Sequence, residues 1–153
     1  MPKWSMAAFL ILFAMGANAQ VGMRNSLIIP GSGVGGIALG MSPGDVFRMM
    51  GDPPHSGTTD DYPGAIVYYY DGLGVAVQQS RVVEFLVSGS QYATSDGIGV
   101  DVSELRVKAM MGEPNRVARY KKGSCAGRIS GYQYNGIWLH FDCDGRVTEI
   151  RIP

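Results

Sequence analysis

The chain has 153 residues, and its 13 basic and 13 acidic side chains cancel at neutral pH. A balanced charge offers no electrostatic basis for holding nucleic acid or anionic lipid. The length suits one ordinary domain or two very small ones.

The N-terminus reads Met1-Pro2-Lys3-Trp4-Ser5, then an apolar run from Met6 to Met15, then Gly16-Ala17-Asn18-Ala19. A charged start, a short apolar stretch and an A-x-A site form the pattern of a signal peptide. The run is about ten residues long, against roughly 20 for a bilayer span. Residues 1–19 are therefore expected to be removed, leaving 20–30 as an N-terminal segment and no membrane anchor; an uncleaved anchor is the alternative. No cysteine stands at the cleavage point to carry a lipid. The protein is expected to be exported, to the periplasm or the extracellular space.

Gly31-Ser32-Gly33-Val34-Gly35-Gly36 fits G-x-G-x-x-G. A dinucleotide fingerprint needs a helix opening at that loop in a parallel βαβ unit. The next helix start lies at Ser42, so the stretch reads as a flexible lead-in. From Ser42 the signals are clear: an N-cap serine, Pro43 at the first helical position, and Asp45 at the capping-box position. Gly51 closes the helix and Pro53 follows. Val46, Met49 and Met50 are expected to form its apolar face. The stretch 52–63, rich in Pro, Gly, Thr and Asp, reads as a loop.

Strand patterns follow, 65–70 and 73–78 about Asp71-Gly72 and a third over 82–88. A second helix is expected after Ser103, with Val107, Met110 and Met111 inward and Gly112 as its stop. Arg116, Arg119, Lys121, Lys122 and Arg128 then make a mild basic stretch, read as a solvated loop or as a contact for an acidic partner. Strands over 129–134 and 137–142 flank Asn135-Gly136, and a last one over 147–152 follows Asp144-Gly145, read as a two-residue turn.

A shift of 61 residues lays 36–53 over 97–114 with eight of 18 positions identical, too many for coincidence in so short a window. Tyr70-Asp71-Gly72-Leu73 likewise matches Tyr134-Asn135-Gly136-Ile137. The expected organisation is an α+β fold of two tandem units, 31–90 and 91–153. Each would be a short helix packed on a three-stranded antiparallel β-meander. Cys125 and Cys143 are the only cysteines, and in an exported chain they read as a disulfide, with a metal pair as the rival.

Turn registers sort the side chains into two faces. One is apolar and belongs under the helix; Val83 and Thr148 fall in that set. The other carries Tyr69 in the first unit and Gln133, Trp138, His140, Glu149 and Arg151 in the second. One helix per unit cannot cover both faces, and antiparallel sheets tolerate a solvated face. Exposed Trp, Tyr and Arg are the residue types that carry binding energy at interfaces. These six residues form the candidate partner-binding site; burial of Trp138 by the other unit or the N-terminal segment is the alternative. His55, Asp60, Asp61 and His140 have no metal-ligand spacing, and no serine sits in G-x-S-x-G.

The pattern from Gly36 through Gly40-Met41-Ser42 to Met49-Met50-Gly51-Asp52-Pro53, followed by a Tyr-rich strand and Arg81-Val82-Val83-Glu84-Phe85, resembles the BamE/SmpA-like superfamily, which includes β-lactamase inhibitor proteins. The resemblance implies helices layered on antiparallel sheet and a non-catalytic, protein-binding role in the envelope or outside the cell. The functional expectation is thus a monomeric, exported, non-enzymatic protein-binding module with no cofactor, no metal and no nucleic-acid partner. Two alternatives stand beside it. One is a structural envelope protein without a discrete partner. The other is a hydrolase or metal-dependent enzyme using His55 and His140, which must then lie within about 10 Å of each other, the reach of paired catalytic groups.

Overall fold

The computed structural model describes residues 25–153; the expected signal peptide lies outside them. Helix α1 (Pro43–Met50) begins where Ser42 Oγ accepts the Asp45 N–H at 3.2 Å, and α2 (Glu104–Met111) where Ser103 Oγ accepts the Arg106 N–H at 3.3 Å. Each ends on a glycine of positive φ, Gly51 and Gly112. Val46 and Val107 are fully buried, with Met50 and Met111 on the same faces four residues on. Met49 and Met110 instead lie half exposed at the margin, which corrects the expectation that both methionines of each pair point inward.

The other regular elements among the described residues are strands. Around α1 lie β1 (Leu27–Ile29), β2 (Gly33–Val34), β3 (Ile37–Ala38), β4 (His55–Thr58), β5 (Ile66–Tyr70), β6 (Leu73–Gln78) and β7 (Arg81–Val87). Around α2 lie β8 (Ala93–Thr94), β9 (Arg116–Arg119), β10 (Ile129–Tyr134), β11 (Ile137–Phe141) and β12 (Val147–Ile152). They form two sheets, β3-β2-β1-β8 and β4-β5-β6-β7-β12-β11-β10-β9. This overturns the α+β expectation of two separate helix-on-meander units: the protein is mostly β. The third strands of the two halves pair antiparallel, Ile150 with Val87, Arg151 with Leu86 and Ile152 with Phe85, so one eight-stranded sheet runs through both.

Asp71-Gly72 and Asn135-Gly136 make two-residue turns, setting Tyr70 opposite Leu73 and Tyr134 opposite Ile137. Gln79 and Ser80 make a third, both with positive φ despite their side chains. The β11–β12 turn is longer than the sequence suggested. The Asp142 N–H bonds Arg146 O across Cys143, Asp144 and Gly145, whose positive φ supplies the left-handed residue. Bulges between Ala76 and Val77 and between His140 and Phe141 shift each strand by one residue, so Val82 and Val147, rather than Val83 and Thr148, face inward.

The inner face of the large sheet, both helices and the small sheet enclose one apolar core. Phe85, Phe141, Ile150 and Ile152 come from the large sheet, Ile28, Val34 and Ile37 from the small one. The glycine-rich lead-in is ordered, contrary to the flexible reading, because it supplies β2 and the turns beside it. Its Gly31 N–H donates to Gly136 O at 2.7 Å, while Ser88 and Gly89 N–H groups close on Gly72 O at 3.0 and 2.9 Å. A Cβ on Gly136 would lie 2.4 Å from Gly31 N, and one on Gly72 2.5 Å from Gly89 Cα. Only glycine lets the chain pack against these hairpin tips.

Cys125 and Cys143 form the expected disulfide, tying the β9–β10 loop to the β11–β12 turn. Nearby, Tyr120 donates its hydroxyl proton to Phe141 O, and Arg128 Nη1 donates to Cys143 O at 2.5 Å. Replacing both cysteines by serine should lower the unfolding free energy by about 3 kcal/mol in the loop-entropy account. Urea melts of the two proteins would measure the difference.

Candidate functional site

Opposite the core, the large sheet presents a second face. One rank of Cα partners crosses it from edge to edge: His55, Tyr69, Gly74, Leu86, Arg151, Trp138, Gln133 and Arg116. A neighbouring rank in the second half runs Glu149, His140, Gly131, Ala118. The six residues expected at a partner site therefore share one sheet face. They do not form one cluster. Tyr69 on β5 is four strands from Trp138 on β11, about 19 Å at ordinary spacing. Gln133, Trp138, His140, Glu149 and Arg151 lie together on β10, β11 and β12.

The ground between them is covered. The segment before β5 reaches over the first half of the outer face: Gln78 Nε2 donates to Pro63 O at 2.9 Å, and Asp61 Oδ2 meets Arg151 Nη1 at 2.5 Å. Under it Val67, Ala76 and Glu84 are shut off from solvent. This corrects the expectation that the outer face of the first half is bare; a loop does what a second helix layer would have done. Glu84, 3% exposed, has Arg151 Nη1 at 4.0 Å as its ion-pair partner. Burial raises the Glu84 pKa, with Arg151 working against the rise. Arg151 Nε also donates to Glu149 Oε1 at 2.7 Å. Burial disfavours the Arg151 charge, yet the bonded carboxylates of Glu149 and Asp61 hold its pKa above the ordinary arginine value. Arg151 is thus an anchor for the loop rather than a free binding group.

Beyond Arg151 the face opens into a groove of about 190 Å³ lined by Arg116, Ala118, Gly131, Gln133, Trp138 and His140. Gly131 and Ala118 form its floor because neither carries a side chain that would fill it. Trp138, 37% exposed, stands as its wall. His140 Nε2 is shielded from solvent and has no hydrogen-bond partner among the described residues. Burial lowers the His140 pKa, keeping the ring neutral, while the facing Glu149 works the other way. A buried ring nitrogen left without a partner costs stability. The sequence reading placed Trp138 and His140 on this face, but not the floor residues Ala118 and Gly131, whose only signal is their small size.

The histidines of the catalytic alternative are not assembled. His55 pairs with Tyr69 on edge strand β4, and His140 sits on β11, five strands away, about 24 Å. Among the described residues no three His, Cys, Asp or Glu side chains are grouped to hold a metal, and no helix is long and apolar enough to cross a membrane.

No family model matches the sequence, and no curated protein matches it. Solved structures do match in fold. An extracellular protein from Bacillus anthracis containing an SCP domain is 16% identical with a TM-score of 0.52, over 74% of this chain and 43% of that one. A cysteine-rich secretory protein from Staphylococcus aureus is 13% identical with a TM-score of 0.53, over 84% of this chain and 48% of that one. This chain spans less than half the length of either. A DUF4309 protein from Bacillus subtilis is 18% identical with a TM-score of 0.43. The first two matches, in fold, correct the resemblance to the BamE/SmpA-like superfamily. The residues that carried it are largely helix-capping chemistry: Ser42 and Pro43 at the start, Gly51 and Pro53 at the stop. Any short capped helix can bear them.

Two consequences can be measured. Replacing His140 by Phe removes the unpaired nitrogen and should raise stability by about 1 kcal/mol at pH 7. With the folded pKa depressed, the unfolded chain binds the proton first, so wild-type stability declines as pH falls below 6.5, and the variant should lose that slope. Denaturation midpoints from pH 5 to 8 would show both effects. Arg151→Ala leaves Glu84 buried without its cation and frees Asp61. A loss of about 2 kcal/mol is expected, partly recovered by adding Glu84→Gln, as a double-mutant cycle in urea would report.

Proposed function

We propose that this chain is an exported, monomeric protein-binding module without catalytic chemistry of its own, and that it binds through the outer sheet face around Trp138. The observation that carries the proposal is the asymmetry of that face. Over the first half a loop covers Val67, Ala76 and Glu84 and leaves Tyr69 exposed with no groove beside it, whereas over the second half Trp138 stands beside an apolar groove with a buried, unsatisfied nitrogen close by. At about 190 Å³ the groove falls below the roughly 300 Å³ at which small-molecule sites begin, and it suits one large side chain of a protein partner. Aromatic anchors with a small adjoining pocket are where binding energy concentrates.

Export is supported by the signal-peptide pattern at residues 1–19, by the Cys125–Cys143 disulfide, and by fold neighbours described as extracellular or secretory. The proposal covers either the periplasm or the extracellular space. The active surface is narrower than the sequence suggested: Gln133, Trp138 and His140 at the groove, with Glu149 and Arg151 holding its flank and Tyr69 outside it.

Capture from envelope extract and culture supernatant, with wild type and Trp138→Ala run in parallel, tests the proposal. A partner retained by wild type and lost by at least tenfold from the variant, the cost of about 1.4 kcal/mol at an anchor, is the expected result. Equal retention of the same partner by both proteins overturns it.

A further inference from the structure

The groove does not end at β10. Its far wall is β9, the edge strand of the large sheet, whose four residues are all exposed. Every second residue of such a strand turns its N–H and C=O groups away from the sheet, ready to pair with another extended chain. Arg116 and Ala118 point from β9 to the outer face, opposite Gln133 and Gly131.

Basic side chains outnumber acidic ones at this edge, where Glu104 and Asp144 line a pocket with Arg119 and Arg128 while Arg116, Lys121 and Lys122 lie outside it. Arg116, Arg119, Lys121, Lys122 and Arg128 gather in and after β9, and none forms an ion pair among the described residues. Arg119 and Arg128 spend donors on the carbonyls of Gly127 and Cys143, which fixes them in place without cancelling their charge. Glu113, just before the strand, is already taken by Lys108 at 2.9 Å. The opposite edge, β4, lies between Asp52 and the pair Asp60 and Asp61, so the basic bias belongs to one edge and not to the sheet. The disulfide and the Tyr120–Phe141 hydrogen bond brace the loop that closes the β9–β10 hairpin.

From these features we infer that β9 receives an acidic, extended segment of a protein partner as a ninth, antiparallel strand. One of its large apolar side chains lies over Ala118 into the groove beside Trp138, and its acidic residues meet Arg116 and the lysines that follow. The main chain provides the pairing, the groove selects one apolar side chain, and the basic residues select charge. The inference rests on the outer face being a binding surface, but it names a partner chemistry that the broader proposal does not need.

The test uses fluorescein-labelled nonapeptides with one central leucine and glutamates two residues to either side of it, so that leucine and glutamates share the strand face that carries Ala118 and Arg116, read by anisotropy against the full chain. Three versions are compared: the glutamate peptide, the same peptide with lysine for glutamate, and the glutamate peptide N-methylated along one edge. The glutamate peptide should bind at least about tenfold more tightly than either of the others. Arg116→Glu with Arg119→Glu should reverse the preference between glutamate and lysine. Both positions are exposed, and an unchanged thermal melt would show that the variant folds. Weakening of about tenfold between 50 and 500 mM salt is also expected. Equal binding of the glutamate and lysine peptides, or undiminished binding after N-methylation, overturns the inference. If such indifferent binding is still lost in Trp138→Ala, the outer-face proposal survives while the acidic-strand inference fails. Salt-sensitive self-association that the glutamate peptide cannot displace would assign the edge to a second copy and also overturn it.

Discussion

The pairing of β7 with β12 is the constraint on which the rest of the structure depends. Each half alone would be a four-stranded sheet with one helix and two open edges, too little to bury a sizeable core. Joining Phe85, Leu86 and Val87 to Ile152, Arg151 and Ile150 removes one edge from each half. It also brings the inner faces into one apolar cluster that both helices and the small sheet cover. The same contact makes the outer face continuous, so a rank of residues can run from His55 to Arg116 without a break. Every feature of the candidate site is placed by strand count from that junction.

A continuous outer face would expose far more apolar surface than a small soluble protein ordinarily shows. The first half answers this with its own chain. Asp61, Tyr62 and Pro63 cross the strands, and Arg151, coming from the second half, holds the crossing loop through Asp61. Arg151 therefore does two things: it sits beside buried Glu84 and it pins the cover. A charge group of this kind adds little net stability when complete, and its strength lies in the cost of breaking it. It fixes where the covered part of the face ends and where the exposed part, starting at Trp138, begins.

Local features of the fold were legible because local chemistry writes them. Ser42 and Ser103 start helices, Gly51 and Gly112 stop them, and Asp71-Gly72 and Asn135-Gly136 set registers that place Tyr69 beside Gly74 and Gln133 beside Trp138. The parts that escaped are those decided at a distance. The β7–β12 pairing joins residues some 65 positions apart and leaves no mark in either strand. Strands β4 and β9 are polar edge strands, so neither shows the alternation of a half-buried strand. Gln79 and Ser80 turn the chain without a glycine because the strands on both sides hold them there. The two bulges moved Val82 and Val147 inward, and such one-residue slips are invisible to a period-two pattern. The error over family has the same root: a capped helix followed by hairpins is a local pattern, and folds differ in how such pieces are joined.

The sequence repeat makes the asymmetry of the outer face informative. Aligned on the hairpin turns, Gly74 corresponds to Trp138, Tyr69 to Gln133, Val67 to Gly131 and Ala76 to His140. In the first half the bulk sits on β5, where Val67 is fully buried and Tyr69 leans over Gly74. In the second half the bulk has moved to β11 and β10 is left with Gly131, so a hollow opens between Trp138 and the edge. A Cβ on Gly131 would lie 3.0 Å from the backbone oxygen of Leu139, so the β10–β11 pairing itself keeps this position small. The second half is left with a small floor, a partly exposed indole and a buried histidine nitrogen without a partner among the described residues, the last a cost to folding. That cost, set beside a hollow which the first half lacks, is what supports the proposed binding role of the face around Trp138.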